Sequence, residues 1–169
     1  MLRAHVVALL VACGGSSELP SDTPRQPCTL AEDAVTLQVP VPRDHALAAM
    51  QGACLLVDER SEATFATIAS LPTDAQGSEL LADAPERFFE EAGLLGDDAR
   101  RTGRGRLDIL GEPVTALRWA ARPEGMPTRA ITTAAKRHGA LWIIVMIFTT
   151  PGNEDEREHL EQVIAGASL

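Results

Sequence analysis

One stretch constrains the fold of this chain more than any other. Residues 141–148 read Leu-Trp-Ile-Ile-Val-Met-Ile-Phe, an unbroken apolar run. Successive side chains of an extended strand point to opposite faces, so a strand of this composition is apolar on both. Such a strand has to be covered on both sides, which calls for a sheet held between two layers.

The surrounding pattern supplies the sheet and the layers. Val35, Leu37 and Val39 alternate with Thr36 and Gln38 as a half-buried strand does, and Pro40 and Pro42 end it. Ala53–Val57 and Phe65–Leu71 are two further apolar runs, the second stopped by Pro72. The period then changes: Leu81, Ala84, Phe88, Ala92 and Leu95 recur at helical spacing. Asp83 with Glu86 forms a candidate capping box, Pro85 fits a first turn, and Gly93 or Gly96 ends the helix. Arg106–Leu110, Val114–Ala121, Thr128–Lys136 and Leu141–Phe148 make a meander of about four strands, with reversals at Gly111-Glu112 and Pro123-Glu124-Gly125. Trp119 and Trp142 sit on apolar strands and belong to the core. A last helix is capped by Asn153 with Glu156 three places on. It gathers acidic residues in its first turn and aligns Leu160, Val163, Ile164 and Ala167 on one face.

The expected fold is therefore α+β: an antiparallel sheet of about six to seven strands between helical layers, formed by residues 30–169 as a single domain. A strand closing in Val39-Pro40, a mid-chain helix, a meander with a Trp-bearing apolar strand and a final helix reading EQVIAGASL resemble the PsbP-like fold. Bacterial DcrB-type lipoproteins are similar. The resemblance implies an α/β/α sandwich and a non-catalytic protein that docks on or stabilises a larger assembly. It carries over no site residue and implies no cofactor.

The other informative segment is at the start. Arg3 and His5 precede an apolar run, Val6–Val11, and Leu10-Val11-Ala12-Cys13 follows. This resembles a bacterial lipoprotein signal with its lipobox. The cysteine thiol takes a diacylglyceryl group, a peptidase cuts after the small Ala12, and the new amino group is acylated, palmitate being the usual chain. Residues 1–12 are then the signal peptide and Cys13 the lipidation site. The apolar run is too short to span a bilayer as a helix, while two buried acyl chains anchor stably where one is marginal. The competing readings are an ordinary cleaved secretory signal and a non-signal segment. Residues 13–29, small, polar and Pro-containing, read as the lipidated cysteine and a flexible tether. Gly14 rather than Asp follows the cysteine, which by the enterobacterial sorting rule points to the outer membrane rather than the inner.

With Cys13 lipidated, Cys28 and Cys54 remain as an even pair in an oxidising compartment, a candidate disulfide, the alternative being two separate thiols. No CxxC motif accompanies them, so zinc is not expected.

Composition narrows the function classes. Acidic residues outnumber basic ones 24 to 15, and the net charge of −9 opposes binding of nucleic acid. The nucleophile-elbow, phosphate-loop, zincin and dinucleotide-binding motifs are all missing. The segment TGRGR reads as an exposed loop entering a strand. The cluster Arg100, Arg101, Arg104 and Arg106 reads as arginines paired with the abundant carboxylates rather than as an anion site. Glu156 and His159 share a helical face and carry donors that suit a divalent metal, but charged helix starts are common and no metal is assigned. His45 and His138 stand isolated in loops.

The reading that results is a lipid-anchored cell-envelope protein facing the periplasm or cell exterior. It binds the membrane through acyl chains on Cys13, has a protein partner in the envelope, and performs no catalysis. A periplasmic binder of a small ligand or metal, which would need a concave pocket, is the first alternative. A hydrolase with an unrecognised site is the second.

Overall fold

In the computed structural model, which describes residues 19–31, 35–61, 63–96 and 98–169, the apolar run is the central strand of a seven-stranded antiparallel sheet. The chain forms β1 (Arg25–Leu30), β2 (Val35–Pro40), β3 (His45–Met50), β4 (Ala53–Asp58) and β5 (Phe65–Pro72). Helices α1 (Leu80–Asp83) and α2 (Pro85–Glu91) follow. Then come β6 (Arg100–Ile109), β7 (Glu112–Ala121), β8 (Arg129–His138), β9 (Leu141–Thr149) and α3 (Glu154–Ala165). The large sheet has the order β3-β4-β5-β9-β8-β7-β6, and β1 and β2 pair separately as a two-stranded sheet.

β9 is buried on both faces from Ile143 onward, and its alternation builds two cores. Ile143, Val145 and Ile147 face α3 and the β1–β2 hairpin, packing with Leu37, Val39, Leu160 and Val163. Ile144, Met146 and Phe148 face the other way and pack with Leu81, Phe89, Leu95 and Trp119 under α1 and α2. The expected sandwich is present, with one change: a β-hairpin shares the α3 layer. The Cys28–Cys54 disulfide, Cα atoms 5.9 Å apart, fastens that hairpin to the large sheet. The chain end is pinned as well, since Gln38 N–H donates to the Ser168 carbonyl and Ser168 N–H donates back.

Several expectations need correction. Five strands, not three, precede the first helix. β1 takes residues 25–29 from the expected tether. Only Cys28 and Leu30 of that strand are buried, and its pairing with β2 and the disulfide hold it rather than any apolar pattern of its own. The mid-chain helix is two short helices broken at Ala84 (φ −148°, ψ 65°). Pro85 disfavours helical backbone in the residue before it, so the chain bends there and no Asp83 side-chain cap forms. Gly93, at φ 68°, follows the last turn of α2, and Leu95 reaches its core from the loop beyond. TGRGR lies inside β6, with a bulge at Thr102, instead of leading into the strand. The β6–β7 turn is Leu110-Gly111, both at positive φ (52° and 71°), as a two-residue type I′ hairpin requires.

Candidate functional site

Cys13 and the lipobox lie outside the described residues. The first described residue, Leu19, packs against the core beneath α3, and residues 19–24 run beside that helix. They line a cavity of about 420 Å³ with Pro42, Arg43 and His159.

Three of the four clustered arginines meet carboxylates. Glu86 receives Arg101 at 2.9 Å and also Arg104, while Arg106 lies 3.6 Å from Asp108. Both tryptophans lie in the core region: Trp119 is fully buried and donates Nε1–H to Thr133 Oγ1 at 3.0 Å, and half-buried Trp142 packs on the α1–α2 side.

The structure joins two histidines that the sequence leaves far apart. His45 opens β3 and is buried; His159, on the second turn of α3, brings its ring centroid to 5.0 Å from that of His45. Asp58, opposite His45 on β4, is held by Arg60 through two side-chain contacts of 3.0 Å, leaving its Oδ2 3.9 Å from His45 Nε2. Both nitrogens of His45 and Nε2 of His159 are buried without a hydrogen-bond partner. Burial lowers the pKa of both imidazoles; Asp58 opposes this at His45, and Arg60 adds to it at His159. Hydrogen bonds from Arg60 hold the Asp58 carboxyl below the usual carboxylate range. Glu156 turns away from His159, accepting from Thr64 Oγ1 at 2.7 Å and from Thr150 N–H. The described residues contain no group of three His, Cys, Asp or Glu side chains arranged to hold a metal. The arrangement serves to dock the first turns of α3 onto the ends of β3, β4 and β5 in their neutral-imidazole form.

A second feature has a different character. Helices α1 and α2 cover only part of their face of the sheet. On β3, Ala46, Ala48 and Met50 point to that side and are exposed, Met50 at 57%. Leu55 and Val57 on β4 and Phe65 and Leu71 on β5 continue the surface and are half-buried. The result is a mainly apolar quarter of sheet, interrupted by Thr67, that opens to solvent toward β3, an edge strand. Beside it lies a cavity of about 720 Å³, lined among others by Thr29, Ala31, Ala49, Met50 and Pro72. No pattern rule singles out β3, because HALAAM has too little alternation. The available signal was its position between two turn sequences, Pro42-Arg43-Asp44 and Gln51-Gly52.

Neither a protein-family model nor a curated protein matches the sequence. Solved structures do match. The solution structure of cyanobacterial PsbP (CyanoP) from Synechocystis superposes with a TM-score of 0.57, covering 95% of this chain and 98% of that one at 15% identity. The fold is PsbP-like. A crystal structure from Bacteroides thetaiotaomicron matches 78% of this chain and 44% of its own at 14% identity and TM-score 0.50. LpqN, described as involved in cell envelope biogenesis of Mycobacterium tuberculosis, matches 85% of this chain and 89% of its own at 16% identity, with a TM-score of 0.48. Within the PsbP-like fold, no described helix is long and apolar enough to cross a membrane.

Proposed function

We propose that this protein is a lipid-anchored envelope protein whose PsbP-like domain is a non-catalytic binding or accessory module for an envelope assembly. Acyl chains on Cys13 hold it, in the outer membrane rather than the inner, facing the periplasm or the cell exterior. The observation that carries the reading is the open apolar quarter of sheet on β3–β5, because contiguous apolar surface left exposed beside a well-packed core marks an interaction site. The Cys28–Cys54 disulfide supports an exported location.

The test is intact mass and N-terminal peptide analysis of protein purified from its own membranes, beside a Cys13→Ser variant. The expected result is an N-terminal Cys13 peptide carrying diacylglyceryl and acyl groups, with the variant lost from the membrane fraction. An unmodified Cys13 with residues 1–12 still attached overturns the anchor and the argument for export.

A further inference from the structure

The two edges of the large sheet are built differently. β6 carries Arg100, Arg101, Arg104 and Arg106 and a bulge, the devices that keep a strand edge from pairing with another chain. β3 has none of them. It is six residues long, His-Ala-Leu-Ala-Ala-Met, with neither Pro nor a Lys, Arg, Asp or Glu. Its backbone geometry can be read from its neighbour. Glu59 N–H donates to the Asp44 carbonyl at 2.8 Å, which makes that pair a hydrogen-bonded one. By the alternation of an antiparallel ladder, Ala46, Ala48 and Met50 bond toward β4, and Leu47 and Ala49 turn their N–H and C=O groups outward.

Both sides of that edge are apolar. Ala46, Ala48 and Met50 lead onto the open sheet face, and on the other side Ala49 borders the 720 Å³ cavity with Thr29 and Ala31. Ala31 holds a φ of 49°, a left-handed conformation that a non-glycine residue seldom adopts. The rim of the cavity is thus held in a strained shape.

We propose that the outer edge of β3 receives an extended apolar segment of a partner protein, with neutral or basic flanks, as an additional strand of the sheet. The inference deepens the proposed function and rests on it. Leu19, the first described residue, packs on the α3 side of the sheet, opposite the open face. The net charge of −9 repels a second copy and an anionic lipid surface alike, and favours a neutral or basic partner. Backbone bonds from Leu47 and Ala49 supply affinity in this mode of recognition, and the apolar surfaces on either side select alternate side chains.

The test uses the full chain with Cys13→Ser and a fluorescein-labelled peptide, Lys-Val-Thr-Val-Ile-Val-Lys. Two companions are an acidic version with Glu at both ends and a version N-methylated at alternate residues. Anisotropy measures binding, and amide hydrogen exchange locates it. The basic peptide is expected to bind saturably, about tenfold more tightly than the acidic one. Exchange at Leu47 and Ala49 should slow on binding. Ala48→Arg, an exposed change that gives β3 the protection β6 already has, should abolish both effects without moving the thermal midpoint, whereas Arg104→Ala should leave them intact. Four results overturn the proposal: no saturable binding, binding that survives Ala48→Arg or N-methylation, protection of Leu47 and Ala49 that appears with protein concentration alone, and binding to phosphatidylethanolamine–phosphatidylglycerol vesicles that Ala48→Arg abolishes. The mass of Cys13 is read separately, so failure of the anchor and failure of the edge site are distinguishable.

Discussion

His45 and His159 carry a sharp expectation for a single pair of residues. Burial lowers both pKa values from the ordinary 6.5, so the unfolded chain takes up protons first as pH falls. Wherever the unfolded state binds more protons, stability rises with pH. Acidification from about pH 7.5 to 5.5 should therefore lower the thermal midpoint. Asp58, held low by Arg60, titrates below that window, and half-buried Glu161, whose pKa is raised by desolvation, works in the opposite direction. The double variant His45→Phe, His159→Leu isolates the imidazoles: its melting profile should be flatter over the window, and an unchanged slope would sink the assignment. The pair was invisible in the sequence, where the two histidines lie on segments far apart in the chain. A turn residue gives a simpler case. Gly111 has φ 71° and open space where a Cβ would stand. Gly111→Ala should cost about 1 kcal/mol by urea unfolding, all of it backbone strain; no loss would mean that the hairpin relaxes into another turn.

Elements differ in how local their causes are. α3 was legible because its cap, its acidic first turn and its apolar face are all consecutive in sequence. Asn153 does accept from Glu156 N–H, at 3.3 Å. Asn153→Ala should cost about 1 kcal/mol, a fall of about 2–4 °C in midpoint for a chain of this size. β1 was not legible. Its stability comes from β2 alongside and from Cys54 across the core, while its own residues carry no apolar alternation to mark it as a strand. Reduction of the disulfide should cost about 3 kcal/mol. Hydrogen exchange should then quicken first in β1 and β2 while β9 stays protected; simultaneous loss of protection throughout would show that the hairpin is integral to the main sheet. The break at Ala84 lies between these cases, since Pro85 was visible but helical periodicity carried on across it.

For the molecule as a whole, the open face and the packed core make opposite predictions. Met50 is exposed and touches neither core, so Met50→Lys should change unfolding free energy by no more than about 0.5 kcal/mol while weakening the peptide complex at β3. A loss of several kcal/mol would make this surface part of the folding core instead of a docking face. The architecture itself was largely readable. Eight consecutive apolar residues demand cover on both sides, and that local fact sets a layered sheet with β9 at its centre. The amphipathic closing helix and the candidate cysteine pair were likewise present in the order of the residues. Strand partners were not, because pairing and edge position depend on which segments meet. A six-residue strand of mostly alanine has almost no pattern of its own, and β3 becomes an edge only because β4 binds one side of it and no described strand binds the other. The histidine pair and the open apolar quarter arise in the same way. Sequence by itself determined the layers, the helix at the end and the central strand that divides the two cores. Only the tertiary structure decided which apolar residues stay in water, since that depends on how far two short helices reach across a sheet of seven strands.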